Sequence, residues 1–134
     1  MPTSYKLRLL PEKFSINKLP QFEELPHIFA KGDNCFIVRT DKELSIICPE
    51  YMAPNSVQQV GGWRCIRISG DHDLSEVGVL ASILNPLAEA GISILAFSSF
   101  ETDHIFIMEE NLVEAVQALQ KAGHQFLHSE IPAS

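Results

Sequence analysis

The chain has 134 residues, 46% apolar and 20% charged, so it can bury a core without disulfide or metal staples and is too apolar to stay unfolded. Its net charge of −7 lies wholly in residues 63–134, which carry three Lys/Arg against ten Asp/Glu, while residues 1–62 balance at seven of each. An acidic half repels phosphate backbones and anionic lipid, which excludes nucleic acid and membrane surfaces as natural partners.

Cys35, Cys48 and Cys65 form no C-x-x-C pair and each sits in an apolar run, the pattern of buried free thiols in a reducing compartment. The opening MPTSYKLRLLPEKF lacks the apolar stretch of a signal peptide, and no segment approaches the ~20 apolar residues of a membrane span. The expectation is a cytoplasmic protein.

In chain order, Tyr5–Leu10 alternates as a strand, stopped by Pro11. Residues 11–34 are interrupted by Pro11, Pro20 and Pro26, leaving room for a helical turn near Phe22–Leu25 but no long helix. Cys35–Thr40 and Glu43–Cys48 read as two strands of a hairpin joined at Asp41-Lys42. Pro49–Pro54 allows one helical turn, Val57–Gly62 reads as a linker, and Trp63–Ser69 as the next strand.

A helix is expected over Ser75–Ala90, with Val77, Leu80, Ala81, Leu84, Leu87 and Ala88 on its apolar face, Asp73 or Ser75 as cap and Gly91 as stop. Pro86 removes the amide that would bond the Ser82 carbonyl, so a kink or break is expected there. Strands Ile92–Ser98 and Thr102–Met108 flank the turn Ser99–Glu101; both are apolar on both faces, which calls for cover on each side of the sheet. Asn111 caps a second helix, Leu112–Ala122, with Leu112, Ala115, Val116 and Leu119 facing the core, and a short strand near Gln125–His128 follows.

Residues 63–128 therefore read βαββαβ, an α+β sandwich with two helices on one face of an antiparallel sheet. A weak internal repeat extends the reading. Tyr5-Lys6-Leu7-Arg8 echoes Trp63-Arg64-Cys65-Ile66, and FIVRTDKELSIICPE echoes AFSSFETDHIFIMEE. Residues 1–62 then form a degraded copy whose long helix is lost to proline, and residues 63–134 the complete one; chance similarity is the alternative.

Two polar loops carry the candidate chemistry. Loop Asp71–Gly78 enters the first helix, where amides at Glu76, Val77 and Gly78 would suit a carboxylate or phosphate. The turn Ser98–Asp103 offers hydroxyls, the carboxylates of Glu101 and Asp103, and the Phe100 ring. Taken singly, each also reads as an ordinary helix cap or a solvated turn. Together they hold Asp71, Asp73, Glu76, Glu101 and Asp103 with no Lys or Arg. If they converge, a zwitterion satisfies both the backbone amides and the carboxylates. His72 and His104 lack metal-ligand spacing, and no G-x-S-x-G, P-loop or G-x-G-x-x-G is present, so no metal, cofactor or catalytic residue is expected.

The runs Ser75-Glu76-Val77-Gly78-Val79-Leu80-Ala81-Ser82, Pro86-Leu87-Ala88-Glu89-Ala90-Gly91-Ile92-Ser93 and Ser99-Phe100-Glu101-Thr102-Asp103 resemble an ACT domain, in the tandem subgroup that includes small bacterial proteins and the animal cytosolic arginine sensors. The resemblance implies a ferredoxin-like regulatory fold that binds amino acids at interfaces between ACT units. Its ligand contacts fall on Ser75, Glu76, Val77, Gly78, Ser99, Phe100, Thr102 and Asp103, with Asp103 holding the ligand's cationic group. A chain with about two such units would complete an interface as a homodimer. The rival reading is an oligomerisation or partner-docking module whose loops hold no ligand.

Overall fold

The computed structural model describes residues 4–25, 27–30, 32–55, 58–68 and 78–132. The chain forms two compact units, one of Met1–Pro11 with Arg64–Ser134 and the other of Glu12–Trp63. Two long strands pass from one unit to the other, β1 (Lys6–Leu19) and β4 (Gln58–Ile68).

In the unit containing the C-terminus, β1 lies beside β4, followed by β6 (Asp103–Met108) and β5 (Ile94–Ser98) at the edge. Helices α1 (Val79–Glu89) and α2 (Leu112–Lys121) pack on one face of these strands. Leu7, Leu9, Ile66, Ile68, Ile105 and Ile107 from the strands meet Val79, Ile83 and Leu87 of α1 and Leu112, Ala115, Val116 and Leu119 of α2. On β6 the alternate residues His104 and Phe106 are buried as well, so this strand is covered on both faces as its composition requires. The edge strand β5 is only half-buried.

The expected closing strand is the two-residue β7 (Gln125–Phe126), which pairs parallel with β1 at Lys6 and Leu7. The place beside β4 belongs to β1, from the start of the chain.

In the other unit, β2 (Phe36–Arg39) and β3 (Leu44–Pro49) form the expected hairpin, and β3 pairs antiparallel with β1. Leu19, Phe29, Leu44, Ile46, Cys48 and Met52 make its core. No long helix is present among its described residues; single 3-10 turns at His27–Ala30 and Glu50–Met52 stand where helices would be.

Several expectations are corrected. Pro11 does not end the first strand, which runs through it to Leu19. The pairing with β7 ends at Leu7 and that with β3 begins at Phe14. The Leu9 N–H between them is accepted by Glu130 Oε1 at 3.1 Å. Two residues on, the missing N–H of Pro11 points to the same side, where no ladder bond is lost. The helical turn falls at His27–Ala30 instead of Phe22–Leu25. The Val57–Gly62 linker is strand from Gln58 onward, and its glycines make room for a carboxylate. Glu50 Oε2 accepts the Gly62 N–H at 2.7 Å and would lie 2.5 Å from a Cβ at Gly61.

The first helix starts at Val79, not Ser75, because Gly78 adopts φ +82, a left-handed conformation that no interior helical residue holds. Its buried face is Val79, Ile83 and Leu87, with Leu80 and Leu84 at the flank, while Ala81 and Ala88 are exposed. Val77, like the proposed caps Asp73 and Ser75, lies outside the described residues. The helix runs unbroken through Pro86. The carbonyl of Ser82, deprived of its partner, lies 2.9 Å from His124 Nε2, and His124 Nδ1 accepts the Tyr5 N–H at 3.1 Å. Those two bonds fix the tautomer, with the proton on Nε2. Asn111 occupies the N-cap position of α2 but makes no side-chain capping bond.

Candidate functional site

The turn between β5 and β6 is closed by its own residues. Ser99 N–H donates to the Thr102 carbonyl at 2.8 Å, and Ser99 Oγ reaches the same carbonyl at 2.9 Å while accepting the Thr102 N–H at 3.3 Å. This leaves Phe100 at the tip with 81% of its surface exposed. Ser98 and Asp103 face each other in the hairpin register, and the Ser98 hydroxyl donates to the Asp103 carboxylate. A carboxylate has about four lone-pair positions, so this bond orients Asp103 without exhausting it.

The Thr102 hydroxyl donates to the Ile68 carbonyl at 2.8 Å. Ile68 is the last residue of β4 and Gly78 directly precedes α1; residues 69–77 lie outside the described residues. The hydroxyl therefore ties the β5–β6 turn to the end of β4 within one chain. Gly78 precedes the first amides of α1, and a Cβ built there would meet nothing within 4 Å. The first intrahelical bond runs from Ser82 N–H to the Gly78 carbonyl, so the amides of Val79, Leu80 and Ala81 precede the helical ladder. Of the expected site, Gly78, Ser99, Phe100, Thr102 and Asp103 are described; Ser75, Glu76 and Val77 lie outside the described residues, as do Asp71, His72 and Asp73.

Two bonds of this turn are not given by residue type, though Ser98 itself was read as part of the turn. Ser98 orients Asp103, a pairing readable once the turn is set at Ser99–Thr102. The Ile68 carbonyl gives no residue-type signal. His104, next to Asp103, is buried; burial, and then the Arg67 charge, hold its imidazole below the ordinary value against the opposing pull of Asp103. Among the described residues no group of three His, Cys, Asp or Glu is placed to hold a metal, and no helix is long and apolar enough to cross a membrane.

Comparison with known proteins follows this geometry. The family model described as ACT domain matches residues 59–121. The crystal structure of Atu0741 from Agrobacterium tumefaciens is 33% identical, covers 93% of each chain and superposes with a TM-score of 0.85. The Homo sapiens cytosolic arginine sensor for mTORC1 subunit 1 is 37% identical over 60 residues, which are 44% of this chain and 18% of the sensor. The regulatory subunit of aspartate kinase from Thermus thermophilus, in its ligand-free form, shares the fold at 15% identity, with a TM-score of 0.59 over 87% of this chain and 96% of that one. With an α+β fold of two helices on an antiparallel sheet, a matching family model and a full-length relative, this chain belongs to the ACT domain family.

Proposed function

We propose that the chain is a non-catalytic, cytoplasmic regulatory module that binds an amino acid or a similar small zwitterion between the helix-entry loop and the β5–β6 turn. The observation that supports this reading is the 2.8 Å bond from the Thr102 hydroxyl to the Ile68 carbonyl, which fastens the β5–β6 turn to the last residue of β4. The ligand's carboxylate would meet the amides at the start of α1, with Gly78 leaving room for it, and its cationic group would meet Asp103 beside the Phe100 face. Ser75, Glu76, Val77, Ser99 and Thr102 complete the proposed contact set. The cytosolic arginine sensor is a relative over 60 residues of this chain, which favours an amino acid as the ligand class.

The unit Glu12–Trp63 is, in this proposal, a degraded ACT copy. It repeats the order edge hairpin strand, inner hairpin strand, long strand, long strand: β2-β3-β1-β4 here and β5-β6-β4-β1 in the other unit. Association of two chains would supply the second ACT surface.

A thermal-shift screen across the twenty amino acids tests the reading. A ligand at ~100 Kd raises stability by about 2.7 kcal/mol, and Asp103→Ala removes that shift while leaving the circular dichroism spectrum intact. A full shift in Asp103→Ala takes Asp103 out of the site.

One observation favours the reading without a ligand. Among the described residues β2 pairs only with β3, and Ile37 and Val38 expose 40% and 39% of their surface along that open edge. Such an edge templates pairing with another strand. No shift with any amino acid, together with a dimer that Val38→Lys dissociates in sedimentation, selects the docking module.

A further inference from the structure

The hairpin β2–β3 places two cysteines in a relation that neither the fold nor the proposed ligand site uses. Its register pairs Phe36 with Ile47, Ile37 with Ile46, Val38 with Ser45 and Arg39 with Leu44. Continued by one step without a bulge, the same register sets Cys35 opposite Cys48. The phase of the ladder follows from the turn, where the Thr40 N–H donates to the Glu43 carbonyl at 2.9 Å. Thr40/Glu43 is thus a hydrogen-bonded pair, and alternation makes Val38/Ser45 and Phe36/Ile47 hydrogen-bonded and Cys35/Cys48 non-hydrogen-bonded. Opposed residues at such a position have Cα atoms about 4.5 Å apart with side chains turned toward each other, inside the ~4.4–6.8 Å range of disulfides.

The surroundings agree. Cys48 is fully buried in the core of this unit, and Cys35 packs against the same cluster from the half-exposed rim. A Cβ at Gly32 would lie 3.1 Å from Cys35 Sγ and 2.3 Å from Met52 Cε, so the glycine is what leaves space beside the Cys35 sulfur. Asn17 Nδ2 reaches Cys48 Sγ at 3.8 Å while also donating to the Ile46 carbonyl at 3.0 Å, which anchors that sulfur in place.

We infer that Cys35 and Cys48 are a cross-strand dithiol that closes to an intramolecular disulfide in the folded protein when it meets a low-molecular-weight disulfide. Cys35, the accessible thiol, loses its proton and attacks one sulfur of the small disulfide. A mixed disulfide forms, and one small thiolate leaves and takes up the proton. Cys48, deprotonated in turn, attacks the Cys35 sulfur; the Cys35–Cys48 bond forms, and the second small thiol leaves protonated. Two protein thiols are oxidised and one small disulfide is reduced to two thiols. Burial, reinforced by Cys35, pushes the Cys48 thiol up to about 11, and burial followed by Asp33 raises Cys35. Thiolate is therefore scarce near neutrality, and the reaction accelerates about tenfold per pH unit through the mildly alkaline range.

The test incubates the full native chain with excess glutathione disulfide and reads intact mass and an unreduced peptide map. The expected product has lost two hydrogens and joins the Cys35 and Cys48 peptides, with Cys65 still alkylatable after unfolding. Its melting temperature exceeds that of the reduced chain. Cys48→Ser, or Cys48→Ala where the polar residue disturbs the core, stops at glutathione retained on Cys35. Glutathione retained on Cys35 in the unsubstituted chain, a link through Cys65, or a crosslink that forms only in urea would each overturn the inference.

Discussion

The hairpin turns at Thr40–Glu43 and Ser99–Thr102 are closed in the same way and do different work. In each, the first residue's N–H donates to the last residue's carbonyl, at 2.9 Å and 2.8 Å, and its hydroxyl oxygen accepts the last residue's N–H, at 3.2 Å and 3.3 Å. A 3-10 turn follows each hairpin, at Glu50–Met52 and Glu109–Asn111. The difference lies in the fourth residue. Glu43 accepts a bond from Ser45 at 2.8 Å and stays with its own hairpin, whereas Thr102 reaches across to the Ile68 carbonyl. One side chain separates a turn that merely reverses the chain from one that is fastened to the end of a neighbouring strand.

The hairpins also differ in burial, and this gives the largest expected effect. Phe106→Ala on β6 empties a fully buried position and costs about 3–5 kcal/mol in urea unfolding, while Val38→Ala on the open edge of β2 stays within about 0.5 kcal/mol. Equal losses would mean that the edge of β2 is covered in solution.

The helix of one unit, with no long counterpart among the described residues of the other, gives the next. His124→Leu removes the partner of both the Ser82 carbonyl and the Tyr5 N–H and costs about 2–4 kcal/mol. Pro86→Ala restores an amide for that carbonyl, so the double variant should lose less than the two single changes together. Strict additivity in the double-mutant cycle would separate His124 from the proline.

The turns themselves give smaller effects. Thr40→Ala and Ser99→Ala each cost about 1 kcal/mol, since each removes the same closing bonds. Thr102→Val costs a similar amount and also weakens any amino-acid shift, whereas Glu43→Ala leaves that shift unchanged. A ligand shift that survives Thr102→Val would dissolve the distinction between the turns.

The smallest effect is a pH slope. The inner hairpin strands differ near their starts: Leu44 opens β3 with a buried apolar side chain, and His104, second in β6, buries an imidazole. Burial and Arg67 keep the folded imidazole below the unfolded value of ~6.5, so the unfolded chain takes up the proton first. Stability is full above that value and is lost as pH falls below it, until the folded group titrates in turn. His104→Leu should flatten this limb of the stability profile.

Much of the arrangement was legible in the residues. Alternation and the Asp41-Lys42 turn identified the first hairpin, and the period of Leu112, Ala115, Val116 and Leu119 identified α2 and its buried face. Both polar loops were recognised as candidates. Where reading failed, a partner distant in the chain had intervened. Pro11 looked like a stop because the gap between β7 and β3 is not encoded near it. Pro86 looked like a break because His124 lies 42 residues from Ser82. Gly61-Gly62 looked like a linker because the carboxylate that fills their space belongs to Glu50. The start of α1 was misplaced at Ser75 because the helical spacing of apolar residues continues across Gly78, whose backbone is left-handed.

By itself the sequence determined most of the element types, the acidic half and the polar turn between β5 and β6, since periodicity, turn chemistry and charge are local properties. Only the tertiary structure decided that β1 rather than a C-terminal strand lies beside β4. It also decided that Thr102 ties its turn to Ile68. Each of these depends on register between strands far apart in the chain, and register is set by which apolar faces find cover together.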